Sequence, residues 1–356
     1  MSDTIFPVTS ISREDTHWEW YLKTRTPVES HGGVYFKRED YFAPLGYGGP
    51  NGSKMRQLIW LVDRQRTGKT RLVSGASVKS PQLSMSAIVA AHYGLQTELV
   101  IGATHAASAA KHPNPQIAAR FGARFHIIPV AYNPQLQTKV RQIAGSDAVI
   151  VEYGITTSHL HRANWEAVEQ FHSLGARQVS NLPKRLRTLI VPAGSCNSLV
   201  SVLYGLATHD REIDRVLTLG IGPDKLRWVH DRLQAIEHVT GKKLLNAFVR
   251  EWEQYPSWAQ HYNETNAPRQ DGHIFRWEHV DLQKLGWCTY QMDMVEQFGD
   301  IEFHPTYEGK MWRWLMQNAL LRMDDTECFW IVGSRPDVKM VAPYATSDAV
   351  GQLEVI

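Results

Sequence analysis

Residues 71–151 alternate short apolar runs with helical patterns, and this alternation limits the fold more than any other feature of the chain. Residues 71–74 read as a strand and 84–93 as a helix closed by Gly94. Residues 97–102 follow as a strand, then a helix from about 114 to 121 closed by Gly122. Residues 125–130 form the next strand, 135–143 a helix, and 148–151 another strand. Strands separated by helices pair in parallel through crossover connections, so the pattern predicts a parallel sheet with helices on its faces.

A second alternating set begins after Thr156, with a helix at 161–174, a buried strand at 187–192, a helix at 198–207 and a strand at 216–220. From 225 to 273 the pattern is helical but irregular, and the polar, Trp-rich stretch 251–271 reads as a long surface excursion. Residues 328–333 are the final clear strand. There are no internal repeats and no low-complexity segments. The architecture expected is two α/β domains, each an open, mostly parallel sheet flanked by helices, with the site between them. Of the twelve tryptophans, eight lie late, from Trp228 to Trp330. Core and interface packing is the reading favoured over base stacking, because no basic stripe runs beside them.

A chain of 356 residues is long enough for two such domains. The net charge of +2 offers no electrostatic case for nucleic-acid or anionic-membrane binding. Three widely spaced cysteines, Cys196, Cys288 and Cys328, argue against a disulfide framework and for a reducing compartment. The start Met1-Ser2-Asp3-Thr4 lacks a signal-peptide pattern, and no apolar run reaches the ~20 residues of a membrane span. A cytoplasmic protein is expected.

Three strand-to-helix junctions and one late motif carry the candidate chemistry. Lys54 closes the glycine-rich loop Tyr47-Gly48-Gly49-Pro50-Asn51-Gly52-Ser53-Lys54, behind the strand 34–40 and ahead of an apolar helix. Glycines there let a flat ring approach the backbone, and a desolvated lysine in such a loop can hold an aldehyde cofactor as a Schiff base. A solvated surface lysine is the plainer alternative. Gly194-Ser195-Cys196-Asn197-Ser198 joins the strand at 187–192 to a helix and offers a phosphate cradle, or simply a helix cap. Ser77-Val78-Lys79-Ser80-Pro81-Gln82 is a second hydroxyl-rich junction, suited to a small anion such as a carboxylate or to a structural turn. His304-Pro305-Thr306-Tyr307-Glu308-Gly309-Lys310 sets a tyrosine beside a carboxylate, fit for proton relay and for holding a protonated ring nitrogen, or for capping a helix. Zinc spacings, nucleotide-binding glycine motifs and the serine-hydrolase elbow are absent from the sequence.

Taken in order, these segments resemble the fold-type II, tryptophan synthase β-like pyridoxal-phosphate enzymes, nearest the 1-aminocyclopropane-1-carboxylate deaminase and D-cysteine desulfhydrase branch. The resemblance rests on Lys37-Arg38-Glu39-Asp40 ahead of Asn51-Gly52-Ser53-Lys54, on Ser80-Pro81-Gln82, on Gly194-Ser195-Cys196-Asn197 and on Pro305-Thr306-Tyr307-Glu308-Gly309-Lys310. It implies pyridoxal 5′-phosphate as cofactor, joined to Lys54 as a Schiff base, with Lys54 also serving as a base. Glu308 pairs with the pyridine nitrogen and Tyr307 moves a proton near the substrate. Gly194, Ser195, Cys196, Asn197 and Ser198 hold the phosphate, while Ser77, Lys79, Ser80 and Gln82 bind the substrate. A large cofactor domain of 1–54 and 160–356, a small domain of 55–159, and a homodimer follow from the same likeness.

Two departures weaken the assignment of a reaction. Pro81 stands where the family has an asparagine donor, and Lys79 adds a cation beside the carboxylate loop. The leading expectation is a deaminase, lyase or decarboxylase of an amino acid or an amino-acid-like group. Phage-encoded relatives extend the resemblance to enzymes that decarboxylate or isomerise a glycyl adduct on thymidine in viral DNA, which would make modified DNA a partner. An inactive homologue acting as a binding protein is the reading from another class.

Overall fold

The computed structural model describes residues 24–45, 50–129, 133–156, 164–222, 225–244, 248–251, 276–333, 335–341 and 353–355. Gly46 to Gly49 of the glycine-rich loop and nearly all of the 251–271 excursion lie outside them. The chain divides into two compact units. The first contains Phe42–Ser158 and Pro336–Ile356, the second Arg25–Tyr41 and His159–Arg335.

The strand expected at 34–40 is the second arm of a hairpin, β1 (Val28–His31) with β2 (Val34–Arg38), and its last residues turn into a short 3-10 helix at Glu39–Tyr41. In the first unit, α1 (Ser53–Gln65), β3 (Arg71–Ser77), α2 (Pro81–His92), β4 (Gln96–Gly102), α3 (Pro113–Arg120), β5 (Arg124–Ile128), α4 (Asn133–Ile143) and β6 (Ala148–Val151) alternate as expected. Every strand pair here is parallel. Side chains alternate between the faces: Leu99 and Ile101 of β4 join one apolar cluster, and Val100 between them joins the other.

The unit limits differ from the expected domain limits at 1–24, 42–54 and 336–356, which fall in the first unit. Residues 42–54 fold with the first unit, where the Gly52 amide donates to the Phe42 carbonyl at 3.0 Å and the Arg56 guanidinium lies 3.5 Å above the Phe42 ring. The end of the chain also returns to this unit, as β14 (Glu354–Val355) beside β5.

The second unit continues with α5 (Trp165–Ala176), β7 (Arg185–Ala193), α6 (Asn197–Thr208), β8 (Glu212–Gly220) and α7 (Leu226–Thr240). Two parallel strands, β9 (Phe248–Glu251) and β10 (Arg276–Asp281), stand where the pattern had read as irregular helix. A small ribbon, β11 (Gln297–Phe298) with β12 (Ile301–Glu302), precedes α8 (Glu308–Gln317) and β13 (Glu327–Ile331). The sheet order is β1-β2-β13-β7-β8-β10-β9, parallel apart from the β1–β2 edge. Cys328 and Trp330 pack on one face of this sheet, Phe329 and Ile331 on the other. Trp277, Trp312, Trp314 and Trp330 are buried, so at these four positions the late tryptophans are core.

Candidate active site

In the second unit the site begins where neighbouring parallel strands end. β13 runs beside β7, with Phe329 opposite Ile190, so Val332 and Gly194 leave the sheet at the same edge on strands ~4.8 Å apart. Ligands of open α/β sheets bind at this carboxyl edge. After β7, Gly194 and Ser195 lead to Cys196, which sits in the left-handed region at φ 66°, ψ 4° as the N-cap of α6. A left-handed residue at a helix entry turns successive N–H groups toward one concavity, an anion-binding nest reinforced by the helix dipole. A Cβ at Gly194 would meet no atom within 4 Å, so the cradle opens onto space.

Glu308 is the first residue of α8 and is fully buried. Its Oε1 accepts from the Val332 amide at 2.8 Å. Its Oε2 is buried with no hydrogen-bond partner among the described residues. Burial pushes the carboxyl up to about 7 from the ordinary 4.5, against the amides of Val332 and Gly333, and the nearby Asp40 charge adds to the rise. An unpartnered carboxylate oxygen at this depth is costly, and a protonated ring nitrogen would satisfy both its charge and its open lone pair. The phosphate cradle and this carboxylate, at one sheet edge, fit pyridoxal phosphate.

Tyr307 precedes Glu308, and its hydroxyl lies 3.0 Å from that of Tyr290. Tyr290 escaped the sequence reading because nothing in its local pattern marks it. It is held by Lys310, whose buried Nζ donates to the carbonyls of Thr289 and Tyr290 at 2.7 and 3.1 Å. Gly309 is required on packing grounds: a Cβ there would collide with the Met294 carbonyl oxygen. In the Tyr-Glu-Gly-Lys run, Gly309 is thus a close approach and Lys310 a clamp. The Lys37-Arg38-Glu39-Asp40 run is internal support. Lys37 Nζ donates to the Thr26 carbonyl, and Arg38 pairs with Asp40 and Glu29.

The first unit carries the other expected residues. Lys54 is the second residue of α1, half-buried, directly behind Gly52 and Ser53. Gly52 takes φ 117°, ψ 178°, a region open essentially to glycine alone. Ser77, Lys79 and Ser80 form the turn between β3 and α2. The Ser77 hydroxyl accepts from the Lys79 amide, and Ser80 caps α2 by accepting from the Gln82 amide. Pro81 is at the first turn of α2, where a missing N–H costs nothing. Gln82 departs from its expected role. Fully buried, it donates to Ser74 Oγ and the Glu152 carbonyl and accepts from the Gly154 amide, tying β3 to the end of β6. These bonds use both N–H groups of its amide and one lone pair of its oxygen.

Among the described residues no group of three or more His, Cys, Asp and Glu could hold a metal, and no helix is long and apolar enough to cross a membrane. No family profile matches the chain. It is 36% identical to the O-seryl-dTMP PLP-dependent decarboxylase of Salmonella phage ViI, over 94% of this chain and 88% of that protein. Its fold is similar to an ACC deaminase homologue (TM-score 0.62, 17% identity, 87% of this chain and 89% of that one). It is also similar to the O-acetylserine-dependent cystathionine β-synthase of Helicobacter pylori (TM-score 0.52, 14% identity, 92% of this chain and 97% of that one). The chain belongs to the family of the phage O-seryl-dTMP PLP-dependent decarboxylase and is a pyridoxal-phosphate-dependent enzyme of the fold-type II, tryptophan synthase β-like class.

Proposed function

We propose that the protein removes the carboxyl group of a seryl residue attached through its oxygen to a thymidine nucleotide. The observation that carries this reading is the 36% identity, along nearly the whole chain, to a decarboxylase of O-seryl-dTMP. It favours decarboxylation over deamination of a free amino acid, and the thymidine reading over the others weighed from the sequence. The Cα–carboxylate bond breaks, carbon dioxide leaves, a proton joins Cα, and a 2-aminoethoxy group remains on the nucleotide.

Pyridoxal phosphate, when bound, supplies the electron sink for bonds at the α-carbon of the amino acid. Glu308 Oε2 would face a protonated ring nitrogen and keep the ring electron-poor. The nest at Gly194–Ser198 fixes the phosphate. Lys54 Nζ would hold the cofactor and would deliver a proton to Cα. Ser77, Lys79 and Ser80 orient the substrate carboxylate, and Tyr307, backed by Tyr290, exchanges a proton beside the amino group. A homodimer is proposed on the likeness to the branch named above, and the solution mass checks it.

The test is mass spectrometry of the product from synthetic O-seryl-dTMP, with released carbon dioxide counted in parallel. The expected product has lost carbon dioxide and kept its nitrogen. A keto acid with free ammonia, or turnover of serine alone, would overturn the reading.

A further inference from the structure

The helix α6 carries the phosphate nest at its start, and its N-cap, Cys196, makes no capping hydrogen bond through its side chain. Most helix entries are closed by a serine, threonine, aspartate or asparagine oxygen that accepts from the second or third amide. In a nest such a bond competes with the anion for the same N–H groups. The first turn of α6 therefore has to be held from another direction.

His172 of α5 supplies that hold. The side chain is fully buried, with its ring edge-on to that of Phe171 at 5.0 Å. Its Nδ1 lies 3.3 Å from the Ser201 hydroxyl, and the Asn197 backbone bonds the ring as well. Asn197 and Ser201 stand four residues apart at the start of α6, so the two contacts grip its first turn on one face. Nε2 is buried with no hydrogen-bond partner among the described residues, so both contacts fall to Nδ1. Burial, and after it the Arg232 charge, push the imidazole down to about 3 from the ordinary 6.5, so the ring is neutral. The Asn197 bond acts the other way, as a bond donated by Nδ1–H to a carbonyl does.

The two helices are locked at the same place. A Cβ at Gly175, one turn after His172, would stand 2.7 Å from the Ser201 Cβ, and one at Gly205 would collide with the Ala176 carbonyl oxygen. Backbone contact this close leaves α6 little freedom to slide on α5, so a bond from α5 fixes where α6 begins.

We infer that His172 is the positioning residue of the phosphate nest: its Nδ1–H, bonded to the first turn of α6, sets how the amides at the start of that helix meet the cofactor phosphate. The imidazole acts through the helix and not on the reacting atoms. The inference goes beyond the decarboxylase reading, and it rests on the placing of the phosphate at Gly194–Ser198.

The test titrates the cofactor-free full chain with pyridoxal 5′-phosphate and with pyridoxal, which differ only in the phosphate group, and follows the visible absorbance. His172→Phe keeps a ring and removes the donor; it should weaken pyridoxal phosphate by about tenfold and leave pyridoxal unchanged. His172→Asn returns an amide N–H close to the place of Nδ1. It should restore the preference for the phosphate form even though the smaller side chain lowers the melting temperature. Ser201→Ala takes one contact from Nδ1 with little change in packing, and should shift the same ratio of affinities by about threefold. Equal weakening of both ligands by His172→Phe, an unchanged ratio in that variant, or no recovery in His172→Asn would overturn the inference. Where His172→Phe does not fold, an unchanged ratio in Ser201→Ala overturns it. Gly194→Leu, whose side chain would enter the open cradle, separates the inference from the placing beneath it. A ratio that survives Gly194→Leu means that the phosphate lies elsewhere, and both fail. A ratio lost in Gly194→Leu but kept in His172→Phe removes the inference alone. Neither affinity involves O-seryl-dTMP, so the decarboxylase reading is tested apart from both.

Discussion

Glu308 accepts a hydrogen bond from the Val332 amide through Oε1, while its other oxygen is buried with no partner among the described residues. This half-satisfied carboxylate makes the cofactor-free protein sensitive to pH. Its folded pKa, about 7, lies above the ordinary 4.5, so the folded chain keeps a proton that the unfolded chain releases. The stability it contributes is full below 4.5 and is lost as pH rises through 7. Glu308→Gln should remove that slope, making the cofactor-free variant more stable above pH 7 by on the order of 3 kcal/mol. Thermal melts across this pH range check the sign. With cofactor added, the same variant should lose activity by at least tenfold.

The position of Lys54 depends on the backbone before it. Gly52 occupies a glycine-only region. Gly52→Ala should cost ~1–3 kcal/mol of stability, or shift the start of α1 and with it the lysine. Either result appears as a lowered melting temperature together with weakened cofactor retention. Asn51→Ala, one residue earlier and outside that region, should spare the melting temperature.

Gln82 separates a structural role from a ligand role. Gln82→Leu takes the partner from the Gly154 amide and the donor from the Glu152 carbonyl inside the unit, at a cost of ~1–3 kcal/mol for each buried group left unsatisfied. The melting temperature should fall, and KM should hold where the variant is still folded. A raised KM without loss of stability would return Gln82 to the substrate.

Tyr307→Phe should lower kcat by ~10²–10⁴, the usual worth of a positioned proton-transfer group. Tyr290→Phe removes only its neighbour's hydroxyl partner and should cost less, with the larger change in the pH profile of kcat. Equal losses in both variants would instead mean that the pair acts as one unit.

Much of this was legible in the sequence for a physical reason. In both units apolar strands alternate with helices, two of them closed by glycines, and parallel pairing forces the loops after the strands to one edge, so the junctions at 77–82 and 194–198 could be read from pattern alone. Gln82 misled because a buried tie and a ligand contact use the same amide. Tyr290 was invisible because its link to Tyr307 crosses 17 residues and depends on the Lys310 clamp. β10 was hidden by its composition: Arg276, Glu278, His279 and Asp281 look exposed, yet Glu278 and His279 are buried beside polar groups of β8, with Arg215 facing Glu278 and Thr218 facing His279.

The anchoring of the cofactor at Lys54 is tested most directly by borohydride reduction of the cofactor-loaded protein, followed by peptide mapping. The expected result is loss of the visible absorbance and a reduced pyridoxyl group on Lys54 alone. A label on another lysine, such as Lys79 or the clamped Lys310, or a colour that survives reduction, would contradict it.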